Sequence, residues 1–365
     1  MISRLFDFLS RRIDGPLMAA LALTLALGMT VVYSASGGGS LDRVVSQGRN
    51  LAIALMAMWL FAQIHPQLLM RLALPAYAVG LVLLAGVALF GEIRLGARRW
   101  LNLGVTTIQP SEVMKIAVPL MLAWYFHRRE EGLRLRDFAI AGVMLAVPVG
   151  LIVRQPDLGT AVLVFASGFF VIFLAGLSWK ILVAGAAAGA AALPFLWTMM
   201  HDYQRKRVLT LLDPTQDPLG AGYHIIQSTI AIGSGGILGK GWLNGTQAQL
   251  DFVPERSTDF ILAVFGEEFG LAGNVVLMVL YVLIIGRGLM IAANASTVFS
   301  RLAAGAITLT FFTYAFVNMG MVSGILPVVG VPLPMISYGG TALLSMLAGF
   351  GILMSISTHK QLVSS

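Results

Sequence analysis

The chain has 365 residues, of which 58% are hydrophobic and only 11% are charged. Soluble domains carry about 25% charged residues, so this composition excludes a soluble globular protein and indicates that most of the chain crosses a membrane. The sequence has no cysteine, which excludes disulfides and thiolate chemistry. Its net charge of +7 is scattered between apolar segments, which argues against nucleic-acid binding and favours anionic headgroups or a pyrophosphate as partners.

The first apolar run, from Pro16 to about Tyr33, follows a basic stretch and is similar to a secretory signal. It is longer than the apolar part of a signal peptide and further runs follow, so we expect an uncleaved first membrane helix. Ten runs of spanning length predict an all-α integral membrane protein that forms a single polytopic domain over residues 1–365. The predicted spans cover residues 17–35, 50–64, 72–91, 111–126, 138–153, 160–178, 181–200, 259–286, 302–323 and 338–357.

The distribution of basic residues predicts the orientation of these spans. With the N-terminus inside, twelve lysines and arginines fall in inner segments and six in the short outer segments, although Arg94, Arg98 and Arg99 go against the rule. Both termini are then cytoplasmic, and residues 201–258 form a large outer loop between the seventh and eighth spans. Loops of this length are usually functional, and we expect irregular structure with short amphipathic helices at the membrane surface.

The segment Val253–Asp259 closes this loop and leads into the eighth span. It places Asp259 at a membrane–water boundary, where a carboxylate is costly and usually has a function. A general base for a lipid-linked substrate would suit this position, and Glu255 and Arg256 lie within one turn of it. The simpler alternative is a helix cap formed by Thr258 or Asp259.

Two other acidic positions lie at predicted helix starts. Glu112 and Lys115 are three residues apart at the start of the fourth span and can form a structural ion pair. Lys115 lies a turn inside that span, so we expect it to face the protein interior or a watery cavity. Asp157 opens the sixth span as an N-cap; a second role would be to pair with Arg154 or Lys115 in a shared outer cavity.

Basic residues of the outer segments could hold a pyrophosphate or simply lie among headgroups, and the residues alone leave both interpretations open. Proline and glycine residues between Pro327 and Gly340 forbid a regular helix there and predict a re-entrant or cavity-lining loop that includes Ser337. Nucleotide-binding fingerprints are absent, and the five histidines are dispersed, which makes a zinc site improbable. The candidate substrate-binding residues are Arg94, Arg98, Arg205, Arg207, Lys240, Glu255, Arg256 and Ser337.

Several motifs follow one another in order along the chain: Arg98–Trp100, Gln109–Glu112, Gln155–Gly159, Leu212–Pro214, Pro254–Phe260 and Ser337–Gly340. Taken together, they resemble the SEDS family (shape, elongation, division and sporulation) from about residue 15 to 358. The sequence of the loop between the seventh and eighth spans is most similar to the elongation-type members, with the division-type members as the alternative.

The resemblance implies a peptidoglycan glycosyltransferase that acts on lipid II at the periplasmic face of the bacterial inner membrane. It implies Asp259 as the catalytic aspartate, Glu112 and Lys115 as a paired set, and Asp157 as a supporting acid. It also implies work with a class B penicillin-binding protein, a transpeptidase, in a cell-wall elongation complex.

The implied reaction is an attack by the GlcNAc 4-hydroxyl on the MurNAc C1, with Asp259 as the base. A single displacement inverts the configuration at C1, and undecaprenyl pyrophosphate leaves. Arginines, lysines or a divalent cation such as Mg²⁺ or Mn²⁺ would stabilise the leaving charge. Two other classes stay open at this point. Polar groups between spans and a broken proline loop also suit a lipid II flippase, and a scaffold that recruits the transpeptidase would need no chemistry at Asp259.

Overall fold

The computed structural model describes residues 12–37, 41–94, 97–102, 107–200, 202–217 and 220–359. This part of the chain is mostly helical, and a small sheet follows the third helix. In chain order the helices are α1 (Gly15–Ala35), α2 (Leu41–Gln63), α3 (Pro66–Phe90), α4 (Pro110–His127), α5 (Leu135–Val153), α6 (Leu158–Leu174), α7 (Trp179–Met199), α8 (Asp202–Leu212), α9 (Ala221–Ser234), α10 (Thr246–Gln249), α11 (Ile261–Ala293), α12 (Val298–Val322) and α13 (Thr341–Thr358).

Seven of the described helices, α1, α2, α3, α5, α11, α12 and α13, are long and apolar enough to cross a membrane. Helices α6 and α7 are apolar over shorter stretches, and α4 carries the charged residues Glu112 and Lys115 in its first two turns. Each predicted apolar run overlaps one of these helices, but the ends differ. Helix α2 begins at Leu41 rather than at residue 50, because its polar first turns, including the buried Gln47, belong to the helix.

Helices α12 and α13 form the centre of the protein. In the 18-residue apolar stretch of each helix, 78% of the residues of α12 and 67% of those of α13 are buried inside the protein. The corresponding fraction for α2 is 17%, because most of its residues are exposed on the outside of the bundle. Helix α12 packs against α4, α6 and α11, and α13 packs mainly against α2. Side chains of α7 are exposed along nearly its whole length. The packing therefore gathers α4, α6, α11, α12 and α13 around one core.

A buried ion pair ties together the start of α1, the far part of α11 and the end of α13. Asp14 caps α1 by accepting a hydrogen bond from the Leu17 backbone N–H at 3.1 Å. Arg287 donates to both carboxylate oxygens of Asp14, at 2.9 and 2.7 Å, and the Ser357 hydroxyl donates at 2.6 Å. This contact fixes the end of the bundle at which α1 begins and α13 ends.

A three-stranded antiparallel sheet follows α3, in the order β1 (Glu92–Arg94), β2 (Ala97–Asn102) and β3 (Thr107–Ile108). Glu92 pairs with Trp100 across β1 and β2. The apolar and basic pattern of this stretch did not predict a sheet. Three basic residues concealed a strand pattern in which alternate side chains face opposite sides of the sheet.

The polar segment between α7 and α11 is more ordered than an irregular loop. Helices α8, α9 and α10 and a 3₁₀ turn, Pro214–Gln216, occupy most of its described residues. The 14-residue α9 packs directly against α11, where Gly266 allows close approach of Ile232.

Between α12 and α13 the chain forms the predicted non-helical loop, here called the proline-rich loop (residues 327–340), with no regular helix or strand among these described residues. Protein groups satisfy its backbone: the Tyr281 hydroxyl donates to Pro334 O at 2.6 Å, and Asn318 Nδ2 donates to Val331 O at 2.7 Å. Leu333 and Ile336 are buried. Such contacts are what non-helical backbone requires at membrane depth.

Candidate active site

Asp259 lies in a turn immediately before α11, and its backbone is held by two other elements. Asn318 Nδ2 of α12 donates to the Asp259 carbonyl at 2.7 Å. The Ser337 hydroxyl donates to the Thr258 carbonyl at 2.6 Å and accepts from the Leu333 backbone N–H at 2.7 Å. The proline-rich loop and α12 therefore fix the position of the Asp259 main chain.

The Asp259 side chain does not cap α11. The N-cap residue is Phe260, which makes no side-chain capping bond, and the Thr258 hydroxyl donates to Glu255 at 2.7 Å instead. The helix-cap alternative from the sequence is therefore wrong. Among the described residues, no hydrogen bond or ion pair to the Asp259 carboxylate is found at contact distance, although the residue is partly buried.

Burial, together with the nearby Glu255 charge, raises the pKa of Asp259 from its ordinary value of 3.8 to about 6, although the Arg99 guanidinium acts in the opposite direction. A carboxylate with this pKa is mostly ionised at neutral pH, yet it binds a proton more readily than an ordinary aspartate. Both properties suit a general base, since the best base has a pKa close to the working pH.

Gly330 brings the proline-rich loop against the Asp259 carboxylate. Its φ of +73° is strained for other residues, and a Cβ atom there would lie 3.3 Å from Asp259 Oδ2. The start of α6 packs on the same loop, since a Cβ on Gly159 would meet the Val329 carbonyl at 2.6 Å. The sequence predicted a shaped loop here, but not that the loop reaches Asp259.

Asp157 forms the predicted N-cap of α6 and also meets the sheet. It accepts bonds from the Thr160 backbone N–H at 3.2 Å and the Thr160 hydroxyl at 2.9 Å. Its remaining neighbours are Gln109 Nε2 at 3.2 Å and Arg99 Nη1 at 3.7 Å. The prediction that it pairs with Arg154 or Lys115 was wrong, because β2 carries Arg99 over the start of α6.

The two adjacent arginines of β2 have different surroundings. Arg98 is exposed and donates to the Ala88 carbonyl at 3.2 Å, whereas Arg99 is partly buried between Asp157 and Asp259. The sequence analysis selected Arg98 and passed over Arg99. Strand alternation across Arg98–Trp100 is the signal that could have separated them, had the sheet been recognised.

Glu112 and Lys115 form the predicted ion pair, and the structure completes it with two more groups. Lys115 Nζ lies 2.7 Å from Glu112 Oε1 and donates to the Tyr314 hydroxyl at 2.5 Å. The Ser345 hydroxyl donates to Glu112 Oε2 at 2.7 Å. Lys115 is buried and faces the protein interior, as expected, at the junction of α4, α12 and α13.

Other candidate residues have protein partners of their own. Lys240 pairs with Glu267 at 2.7 Å, and Arg256 pairs with Asp251 at 2.6 Å. Arg205 donates to the Trp197 and Thr198 carbonyls at the end of α7. The side chains of Arg94 and Arg207 lie outside the described part of the structure.

The described residues include no group of three or more histidine, aspartate or glutamate side chains placed to hold a metal ion. Asp157 is already surrounded by protein donors, and Asp259 has Glu255 as its acidic neighbour. Asp259 and Glu255 could hold a divalent cation such as Mg²⁺ only together with phosphate oxygens of the substrate.

Asn318 is a further residue that sequence reasoning missed. It is fully buried, and its amide nitrogen joins the Asp259 turn to the proline-rich loop. A lone asparagine in an apolar helix was the available signal, because polar side chains inside spans usually have specific partners.

Comparison with known proteins agrees with this architecture. The family model of the FtsW/RodA/SpoVE cell cycle proteins matches residues 16–362. The chain is 52% identical over 355 residues to the peptidoglycan glycosyltransferase MrdB of Escherichia coli (strain K12), covering 96% of this chain and 95% of that protein.

Two solved structures share the fold. One is a chain from a peptidoglycan synthase complex studied for how it coordinates polymerization and crosslinking, with a TM-score of 0.82, 35% identity, and coverage of 94% of this chain and 97% of that chain. The other is the rod shape determining protein RodA of Thermus thermophilus, with a TM-score of 0.71, 30% identity, and coverage of 94% and 96%. The chain therefore belongs to the FtsW/RodA/SpoVE family of cell cycle proteins.

Proposed function

We propose that this protein is a peptidoglycan glycosyltransferase that polymerises lipid II into glycan strands during cell elongation. Its similarity to the peptidoglycan glycosyltransferase MrdB supports the activity, and its similarity to a rod shape determining protein supports the elongation role. The observation that carries the chemistry is the Asp259 carboxylate, which is partly buried, has no close donor among the described residues, and has a pKa raised to about 6. It lies where the polar segment between α7 and α11 meets the bundle.

In the proposed reaction, Asp259 accepts the proton of the GlcNAc 4-hydroxyl on the acceptor lipid II. The hydroxyl oxygen forms a bond to C1 of the terminal MurNAc of the growing strand as the bond from C1 to the pyrophosphate oxygen breaks. Undecaprenyl pyrophosphate leaves with that electron pair. A single displacement inverts C1 and needs one base and no covalent sugar–enzyme intermediate.

We propose that Arg99 stabilises the negative charge that develops on the leaving pyrophosphate. Its Nη1 lies 3.7 Å from Asp157, and its Nε has no hydrogen-bond partner within the described part of the chain, so the guanidinium keeps donor capacity for a phosphate oxygen. Arg94, Arg205 and Arg207 remain candidates for contacts further along the two lipid-linked chains.

We further propose that the chain is one polytopic domain with ten spans, in which α4, α6 and α7 complete the set. Both termini are cytoplasmic, and the segment between α7 and α11 is periplasmic. In support, Asp14 at the start of α1 pairs with Arg287, whereas Trp242 of that segment reaches Thr30 in the second half of α1. The two ends of the bundle are thereby distinguished, and Asp259 belongs to the periplasmic end.

The proposed partner is a class B penicillin-binding protein that crosslinks the nascent strand in the elongation complex. The fold shared with a chain of a peptidoglycan synthase complex supports a partner for this protein. Substrate and product both carry polyprenyl chains, so the reaction takes place at the bacterial inner membrane.

The test is polymerisation of purified lipid II by the full-length protein with its transpeptidase partner, comparing wild type, Asp259→Asn and Asp42→Asn. Asp42 is exposed in the first turn of α2, at the same end of the bundle, and its replacement is a matched loss of charge. We expect polymer from wild type and Asp42→Asn, and a rate lower by about 10²–10⁴ from Asp259→Asn, since a base contributes this much.

Equal polymer from wild type and a folded, partner-binding Asp259→Asn would contradict the assignment of the base. If no version makes polymer, the enzyme proposal fails for this preparation. Translocation of lipid II across vesicles would then test the flippase alternative directly.

A further inference from the structure

Helix α11 is interrupted at Gly270, about three turns after Asp259. Gly270 has φ +62° and ψ −159°, which no helix allows, so α11 consists of a short helical stub, Ile261–Phe269, and a long span, Leu271–Ala293. In an unbroken helix, the backbone N–H groups of Leu271 and Ala272 would donate to the carbonyls four residues earlier. Those four groups need other partners.

The turn Gly235–Gly241, here called the inserted turn, supplies all four partners. The N–H groups of Lys240 and Gly241 donate to the Glu267 and Glu268 carbonyls, each at 3.0 Å. In return, the N–H groups of Leu271 and Ala272 donate to the carbonyls of residues 236 and 237, each at 2.9 Å. The inserted turn therefore replaces a turn of helix and joins the periplasmic segment to the break.

Only glycine fits at the contacts between the inserted turn and the break. A Cβ on Gly235 would lie 2.1 Å from the Gly266 carbonyl, and one on Gly239 would lie 2.1 Å from the Glu268 carbonyl. Gly239 also has φ +81°, which favours glycine. A Cβ atom on Gly270 would lie only 2.3 Å from Gly239 N.

One ion pair fastens the inserted turn to the stub. Glu267 is fully buried, and its carboxylate accepts from Lys240 Nζ at 2.7 Å. It also accepts from the Thr246 hydroxyl at 3.1 Å and from the Gln247 and Ala248 backbone N–H groups at 3.0 and 3.2 Å. The single carboxylate thus holds both the inserted turn and α10 on the stub.

The stub transmits this attachment to Asp259. Ile261, Ala263 and Val264 are fully buried, so the stub is packed as a rigid piece of helix. The turn that precedes it is held at the main chain by Asn318 and Ser337. Asp259 therefore lies between two anchors, one on α12 and the proline-rich loop, the other on the inserted turn.

We propose that the Lys240–Glu267 ion pair is a positioning pair for Asp259, which acts through the stub and does not touch substrate. The inference rests on the proposed function, because it concerns the placement of that reaction's base. It replaces the expectation that Lys240 holds the pyrophosphate. A base displaced by about 1 Å can lose about 100-fold in rate, so a loosened stub has a measurable cost.

The test compares polymerisation by full-length wild type, Lys240→Met, Lys240→Arg, Glu267→Gln and the double variant Lys240→Met/Glu267→Gln, each with the transpeptidase partner. Rates are measured against lipid II concentration and from about pH 5 to 8. Lys206→Met, which removes an exposed lysine of α8, is the matched control.

We expect Lys240→Met and Glu267→Gln each to lower kcat by about 10-fold or more with KM within about twofold, and the double variant to lose no more than either single. Lys240→Arg should keep most of the activity because it keeps the charge. The acid limb of the pH profile should move to lower pH, since a better hydrated Asp259 returns toward its ordinary pKa. The charged groups that face Asp259 and the pair, Glu255, Arg99 and Glu268, are unchanged in these variants.

Three results would overturn the proposal. Additive losses would show that the two residues act separately. A rise in KM for Lys240→Met with a normal Glu267→Gln would return Lys240 to substrate binding. A lower amplitude with an unshifted pH profile would indicate that the pair only supports folding.

If Glu267→Gln does not reach the membrane, Lys240→Met and Lys240→Arg decide the matter through the kcat and pH readouts. Failure of the proposed function is separable from failure here, because it would appear as polymer from Asp259→Asn. A fully active Lys240→Met beside an inactive Asp259→Asn would contradict only the positioning pair.

Discussion

Asp259 and Glu112 are both acidic residues beside the start of a helix, but their surroundings differ. Both Glu112 oxygens are occupied, one by Lys115 at 2.7 Å and the other by Ser345 at 2.7 Å. The Asp259 carboxylate has no described donor at contact distance, and what reaches it is the longer-range field of Glu255 and Arg99. The first carboxylate is satisfied by the protein, and the second is left able to take a proton.

This difference separates structure from chemistry within one end of the bundle. A carboxylate surrounded by donors makes a poor base, because the hydrogen bonds stabilise its ionised form and so lower its affinity for a proton. A partly buried carboxylate without donors costs stability and gains basicity. Asp157, with four protein contacts, belongs with Glu112 in this respect, although it also faces Arg99.

The largest expected contrast concerns Asp259→Asn itself. This variant should lose polymerisation by about 10²–10⁴ yet unfold no more easily than wild type, because the lost charge had no close partner. The sign follows from its pKa: a carboxyl whose pKa is raised to about 6 in the folded protein costs stability as the pH rises through that value. Denaturant unfolding in detergent at neutral pH measures this, and a marked loss of stability would place Asp259 with the structural carboxylates.

Lys115→Met should show the opposite behaviour. It leaves Glu112 buried with one donor, and breaking a buried pair by removing one partner costs about 3–5 kcal/mol in the free energy of unfolding. Unfolding in detergent should show this loss, and Lys115→Met/Glu112→Gln should recover part of it. Lys180→Met, at an exposed lysine, is the control. Unchanged stability of Lys115→Met would contradict a structural role for the pair.

The smallest contrast lies between the two arginines of β2. Since the Arg99 charge lowers the pKa of Asp259, Arg99→Gln should move the acid limb of the polymerisation profile to higher pH and reduce the rate at neutral pH. Arg98→Gln removes the same charge from an exposed site and should change the rate by less than about twofold. Equal effects of both substitutions on the pH profile would remove Arg99 from the site.

Much of the helical architecture could be predicted because apolar runs and membrane helices have matching lengths. Each predicted run overlaps a helix, and the prolines and glycines after α12 predict the non-helical segment there. Errors occur where a helix extends beyond its apolar part, as in α2, or where charge conceals a strand, as at Arg98 and Arg99.

The candidate site was predicted in part for the same kind of reason. Asp259, Asp157 and the pair Glu112–Lys115 stand out because charges at span ends are rare and need an explanation. The contacts of Arg99, Gly330 and Asn318 depend on which elements meet in space, and a single sequence does not encode those meetings as a local pattern. Lys240 illustrates the reverse case: a basic residue in a plausible loop, which the fold pairs with Glu267.

The most direct test of Asp259 as the base is the pH dependence of kcat/KM for lipid II polymerisation by the wild-type protein with its partner. The account predicts a rate that is half-maximal near the Asp259 pKa of about 6 and falls below it, because protonation removes the base. His224 must be excluded as the titrating group, because its ring centroid lies 5.3 Å from that of Phe260. Burial lowers the pKa of His224 from its ordinary value. The predicted midpoint should persist in His224→Gln, whereas a rate that stays constant down to about pH 5 would contradict the central claim.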